Sequence, residues 1–392
     1  MDKWIVKDWI REKLWDFLKE HFYPQRVRDS PLIQNINFNT IDGQKRSLVC
    51  YLPHSYFQTI ERKTMGRTIP FEIFKLVKVL SEFGFSIDII AANDLSALEL
   101  VKSKRYDLIF GFGETFYQIT RLQPHALSVL YMTENHPEFS YREEKKRIDY
   151  YYERHKKKVP IERSGRFYKL SHLKKRYDHV IALGELDLLS MDFQNPFAIF
   201  PTGIVNPDFN NSPKDHSATR SHFLWLGSSA VIHKGLDLLI DLFTMRDDVT
   251  LHVCGLDQHA RKILAFPNKK NIIDYGYVHI NSEKFLKIVD KCSYSVLLSC
   301  SEGMATSITT SMMHGLIPVV LRDTGFNRLG ENAIFLDDYR IDPLDQEISS
   351  LADRDPEELA ELSAKVYEFA LSNFSTEAYE RQMRSILEQI LE

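Results

Sequence analysis

Glu302, followed at once by Gly303 and shortly afterwards by a run of small hydroxyl residues, is where this 392-residue chain places types and spacings that could do chemistry. The segment from Leu297 to Val320, LLSCSEGMATSITTSMMHGLIPVV, reads as strand, acid-glycine loop, helix and strand. Ser295 to Ser299 is a short apolar run suited to a buried parallel strand, and Thr306 to Ser311 open the helix. That order sets the backbone donors of Gly303, Met304, Ala305 and Thr306 beside a carboxylate. Helix N-terminal N–H groups favour a pyrophosphate, and an acid at a strand end can accept hydrogen bonds from sugar hydroxyls. An ordinary crossover with Glu302 as a solvated loop acid explains the segment equally well when it is taken alone.

The upstream elements shift the balance. Phe223 to Phe243, FLWLGSSAVIHKGLDLLIDLF, is an apolar strand, a Gly-Ser-Ser loop, His233-Lys234-Gly235 and an amphipathic helix. A lysine at that loop is placed to meet phosphate. VTLHVCGLD then gives a strand ending at Gly255, and a strand, turn, helix and strand follow up to Ser299.

In order and spacing these segments resemble the C-terminal domain of family 4 glycosyltransferases of the GT-B fold, over about Phe223 to Val320. The family pattern runs Gly-Arg, short loop, Lys-Gly, then Gly-x-Val, Ser-x-x-Glu-Gly and Gly-x-Pro-Val-Val. The resemblance implies that Glu302 and Lys234 hold the donor sugar and its diphosphate, that Gly303 to Thr306 act through their backbone, and that Val278 lies by the base. Two positions depart from the pattern. Counting back from Lys234, the family's phosphate-binding arginine falls on Ser228, which removes a planar bidentate cation. The second acid of the Glu-x7-Glu pattern falls on Thr310, leaving a hydroxyl as the ribose contact.

The first half reads as a second alternating α/β unit. RSLVCYLPH, FSIDIIAA and YDLIFGFGETF are strands around the helix IPFEIFKLVKVLSEFG, and the last strand runs into Gly111 and Gly113. ALSVLYMTENHPEF is a strand followed by Glu134, Asn135 and His136, a polar cluster where open α/β sheets bind ligands. By the resemblance His136 faces the donor sugar; the plain alternative is a histidine that caps the loop before Pro137. Gly111, Gly113, Glu134 and Asn135 are the acceptor-side candidates.

The expected architecture is therefore α/β, two Rossmann-like doubly wound domains facing across a cleft, with an extra N-terminal amphipathic helix. We divide it into 1–40, helix and lead-in; 41–209, the acceptor-side domain; 210–372, the nucleotide-sugar domain; and 373–392, a helix that the resemblance returns to the first domain. The polar run NNSPKDHSATRSH marks the boundary.

Composition fits a protein with two cores, at 44% hydrophobic and 12% aromatic residues, and a net charge of -4 gives no global pull toward nucleic acid. Cys50, Cys254, Cys292 and Cys300 lack metal or redox spacing, which suits reduced thiols in the cytoplasm. No run reaches the roughly eighteen apolar residues that span a bilayer, and no signal-peptide core is present. Met1 to Tyr23 has its tryptophans and leucines on one helical face, for a peripheral membrane contact, self-association or packing on the first domain; its mixed charge favours packing. Tyr141 to Tyr177 holds fourteen Lys or Arg against five acids. That excess fits an anionic acceptor, an anionic membrane face or a plain solvated hairpin. No metal-ligand spacing is found, and Asp337-Asp338 end a strand.

Together these imply a metal-independent retaining glycosyltransferase. It moves a hexose from a nucleotide sugar, UDP- or GDP-linked, to a glycan or lipid-linked hydroxyl acceptor, with no other cofactor. A non-catalytic glycosyltransferase-like partner or scaffold, motivated by Ser228 and Thr310, is the alternative; a nucleotide-sugar epimerase is a third.

Overall fold

The computed structural model describes residues 32–36, 45–53, 56 and 68–392, apart from 166, 191, 257 and 265. The amphipathic segment Met1 to Tyr23 lies outside the described residues. Two sheets organise the rest. The first contains β1 (Leu32–Ile36), β2 (Lys45–Tyr51), β3 (Phe85–Ala91), β4 (Leu108–Gly111), β5 (Leu127–Met132), β6 (His179–Ala182) and β7 (Phe197–Ala198), in the order β1-β3-β2-β4-β5-β6-β7. β1 pairs antiparallel with β3, and the other neighbours are parallel.

The second sheet contains β8 (His222–Leu226), β9 (Thr250–Cys254), β10 (Ile272–Asp274), β11 (Tyr294–Leu297), β12 (Ile317–Leu321) and β13 (Ile334–Leu336). Its order, β10-β9-β8-β11-β12-β13, is the doubly wound 3-2-1-4-5-6 arrangement, parallel throughout. Helices cover both faces of such a sheet, so its strands bury consecutive residues, as Phe223, Leu224 and Trp225 do in β8. The order reverses between β8 and β11, and the loops leaving those two strands define the crevice.

The helices needed below are α1 (Ile69–Glu82), α2 (Gly113–Leu122), α3 (Pro137–His155), α4 (Leu236–Thr244), α5 (Glu283–Val289), α6 (Thr306–Met312), α7 (Ile341–Ala352), α8 (Pro356–Phe374) and α9 (Thr376–Leu391). α9 buries Tyr379, Met383, Ile386, Leu387 and Ile390 in the core of the first sheet. Beside that seam Glu380 receives Lys75 at 2.5 Å and Lys78 at 2.6 Å from α1, so the chain end ties the two halves together.

α3 leaves β5 of the first sheet but packs on the second. Ser140, Glu144, Arg147 and Tyr151 are buried along it at three- and four-residue spacings, one helical face. Tyr151 belongs to the second sheet's apolar core, and Arg147 donates to Leu298 O at 2.8 Å while stacking 4.2 Å from the Tyr339 ring. One turn further on, Arg154 pairs with Asp237 and Asp241 of α4. At these residues the cation-rich segment is a strap between the domains, while Arg142, Lys145, Lys146, Lys156, Lys157 and Lys158 remain exposed on its outer side.

Where the first domain hands over to the second, Glu72 of α1 is 3% exposed and accepts the Thr202 N–H at 2.9 Å and its hydroxyl at 3.2 Å. Burial outweighs these bonds and pushes the Glu72 carboxyl up to about 7. A carboxyl raised on folding binds its proton more tightly in the native state, so its contribution is intact below the unfolded value and is lost as pH rises through about 7. Glu72→Gln keeps the accepting oxygen and removes that loss. Urea unfolding at low and high pH should show the variant gaining about 3 kcal/mol on the native protein above neutrality, and little at about pH 4. A difference independent of pH would rule out the buried charge as its cause.

Candidate functional site

Both arms of the second sheet's switch point carry the motif residues. Glu302 follows β11 and is 2% exposed, with its backbone N–H bonded to Thr324 O at 2.6 Å. Its Oε1 accepts the Ser299 hydroxyl at 2.9 Å. After β8 come Ser228, exposed, and then His233 and the half-buried Lys234 at the entry to α4. His233 O accepts the Cys300 N–H at 2.9 Å, and His233 Nε2 donates to Ser301 O at 2.6 Å, so the two loops are stitched together.

The electrostatics of this knot follow from its burial. Burial opposes a charge on His233, yet Cys300 Sγ at 3.4 Å and the carboxylates of Glu144 and Glu302 outweigh it and push the imidazole up to about 10. Nε2 carries the proton given to Ser301 O, and Nδ1 lies 3.4 Å from Cys300 Sγ and 3.7 Å from Glu144. Burial also raises Glu144, but the His233 imidazolium and the donors around it bring that carboxyl down to about 2. In Glu302 burial is overcome by Arg163, His233 and Lys234, which hold the carboxyl below its ordinary value. Lys234 is brought down to about 8, first by burial and then by Arg163, against the pull of Glu302 and Glu162.

The first domain closes on these residues. Arg163, in the loop after α3, sets Nη2 3.0 Å from Glu302 Oε2 and Nη1 3.4 Å from Oε1, with Nε 3.6 Å from Glu134. Glu144 fixes that loop by accepting the N–H groups of Glu162 at 2.9 Å, Arg163 at 3.1 Å and Ser164 at 2.8 Å. Ser140 and Ser301 bridge the domains hydroxyl to hydroxyl at 2.7 Å. Gly303 has the loop after β5 against it: a Cβ there would lie 2.2 Å from Thr133 O, so glycine alone permits this approach. Glu134, Ser140, Arg163, Ser164, His233, Ser301 and Glu302 are left lining about 200 Å³ of open space.

The other predicted residues fall into three groups. Met304 is buried with φ 62°, and Ala305 caps α6 without a side-chain bond, so Gly303 to Thr306 form a tight turn beside Glu302. Thr310 is buried and its hydroxyl accepts the Ile204 N–H at 3.2 Å, which commits it to the domain junction; Val278 sits in a small core with Ile204 and Ile280. His136 does not line the space beside Glu302. Its Nδ1 accepts the Glu138 N–H at 3.2 Å as the cap of α3, leaving Nε2 to donate to Asp192 at 2.6 Å, the capping alternative. Asn135 accepts the His136 N–H at 3.0 Å. Gly111 and Gly113 serve the backbone: a Cβ at Gly111, where φ is 139°, would lie 2.1 Å from Cys50 O. Sequence reasoning missed Arg163, Glu144 and the place of His233 between the two loops. The signal for the first was the missing cation at Ser228 together with a surplus of cations in the strap.

Two Rossmann-like domains closing on a charged crevice at the switch point of the second define the GT-B architecture, and solved structures agree. Sucrose-phosphate synthase of Thermosynechococcus elongatus superposes with a TM-score of 0.58 at 14% identity, over 89% of this chain and 99% of its own. HepE of Anabaena, in complex with UDP-glucose, gives 0.56 at 14% identity over 88% and 99%. Residues 211–369, nearly all of the second domain, match the family model of glycosyl transferases group 1. No curated protein matches the chain by sequence. Among the described residues no helix is long and apolar enough to cross a membrane, and Cys50, Cys254, Cys292 and Cys300 are free and buried.

Proposed function

We propose that this protein is a glycosyltransferase that moves a hexose from a UDP- or GDP-sugar to a hydroxyl on a glycan or lipid-linked acceptor, with retention at the anomeric carbon and without a metal ion. The observation that carries the reading is the joint placement of Glu302 and Lys234 at the switch point of a 3-2-1-4-5-6 sheet, under a second domain. Glu302, held ionised by its cationic neighbours, would accept hydrogen bonds from donor hydroxyls. Lys234 would meet the diphosphate as charge grows on the leaving oxygen, in a site from which the closed domains exclude water. The turn from Gly303 to Thr306 would hold the same group by its backbone. Thr310 offers the ribose little beyond a hydroxyl already committed to Ile204. Glu134, which borders the space beside Glu302, is the acceptor-side residue we favour.

A second reading, a glycosyltransferase-like partner without catalysis, is favoured by one fact: both carboxylate oxygens of Glu302 already face Arg163. One experiment separates the two. Thermal stabilisation should be measured with UDP, GDP, ADP, CDP and TDP and their common sugars, each with and without EDTA. Selective stabilisation by one nucleotide and its sugar, unchanged by chelator, is expected. Silence across the panel would favour the partner reading, and stabilisation abolished by EDTA would remove metal independence.

A further inference from the structure

The second domain presents its nucleotide site with a cation missing. Where the resemblance puts a phosphate-binding arginine stands Ser228, exposed and unable to carry charge. The first domain delivers an arginine to the same crevice. Arg163 reaches in beside Glu302 and lies close enough to Lys234 to depress its ammonium.

Its position is built. Three consecutive backbone N–H groups, those of Glu162, Arg163 and Ser164, converge on Glu144. Glu144 is itself 1% exposed and lies 3.7 Å from the His233 ring that also fixes Ser301. The loop carrying Arg163 is therefore registered against the loop carrying Glu302 through one buried carboxylate. A guanidinium stays charged at every accessible pH, and once desolvated it must keep an anion. A donor sugar that hydrogen-bonds Glu302 takes that anion away and brings a diphosphate, whose oxygens match the guanidinium fork.

We propose that Arg163 is the diphosphate-binding arginine of this protein, supplied by the first domain in place of Ser228, and that donor binding exchanges its partner from the Glu302 carboxylate to the donor diphosphate. The inference rests on the nucleotide-sugar reading of the site. Diphosphate binding then requires both domains, and Glu302 becomes available to the sugar only as the guanidinium changes partner.

The test is calorimetric binding of UDP, UMP, GDP and GMP to the full chain and to R163A, R163K and R163A/S228R, with circular dichroism melts to confirm folding. The native protein should prefer one diphosphate over its monophosphate. R163A should lose that preference by ~10- to 100-fold while the monophosphate is held as before, the loss expected for charged hydrogen bonds. R163K, with charge but no fork, should fall between. S228R in the R163A background should restore the preference by returning a guanidinium to the loop after β8. Equal tightening of mono- and diphosphate in R163A would overturn the proposal, because Arg163 would then be only an occupant of the crevice. An unchanged diphosphate preference in R163A and R163K would overturn it as well. A native protein that binds none of the four would instead sink the nucleotide-sugar reading, and this inference with it.

Discussion

Glu302→Gln should lower kcat/KM for sugar transfer by roughly 100- to 10,000-fold while the protein remains folded. The magnitude follows from its setting. A carboxylate that is 2% exposed, held ionised by three cations and already taking one hydroxyl from Ser299, can accept two donor hydroxyls. Each such charged bond is worth about 1.5–3 kcal/mol in a desolvated site. Glutamine keeps the shape and one accepting oxygen but not the charge. The fold should persist because Arg163 retains Glu134 at 3.6 Å. Initial rates of transfer and of donor hydrolysis, read beside a thermal melt, make the measurement. A variant that transfers at the native rate would show that this carboxylate does not hold the donor.

The largest stability effect should come from the strap. Asp237 is buried at the start of α4 with Arg154 as its ion-pair partner, and Arg147 adds a second favourable charge. Arg154→Met keeps most of the stem and removes the charge, leaving a desolvated carboxylate, at a cost of about 3–5 kcal/mol. The double variant Arg154→Met/Asp237→Leu should recover most of that loss, since a buried pair exchanged for apolar residues of similar volume is often neutral or stabilising. Urea unfolding of both variants checks this. Additive losses in the double variant would mean that the pair contributes through packing alone.

Much of the architecture was legible in the residues. Apolar strands, glycine stops and amphipathic helices alternate through the second half because a parallel sheet buried on both faces leaves little choice of residue. Thus the strand before Glu302 and the helix from Thr306 lie within a residue or two of where the pattern puts them. The strap was not legible, for a physical reason. The buried face of α3 is Ser140, Glu144, Arg147 and Tyr151, and a search for apolar periodicity sees a solvated polar helix there. What makes that face internal is its partners: the N–H groups of the following loop, and Ser301, Leu298 O and the second core, which are distant in sequence. His136 shows a second limit. A histidine after a strand and before a proline carries the same letters whether it faces a sugar or caps a helix, and its bonds to Asp192 and the Glu138 N–H are seen only in the structure.

The strap also sets a timetable for synthesis. α3 ends at His155, yet the surface it completes is not finished until β11 and the Leu298 carbonyl have been made. At about 5–20 residues per second, the helix waits on the order of ten to thirty seconds outside the ribosome before its partner exists. A helix with an apolar stripe would be a target for misassociation over that interval. One whose inner face is serine, glutamate, arginine and tyrosine can wait in water, and it becomes part of a core only when the acids and carbonyls of the second domain arrive to meet it.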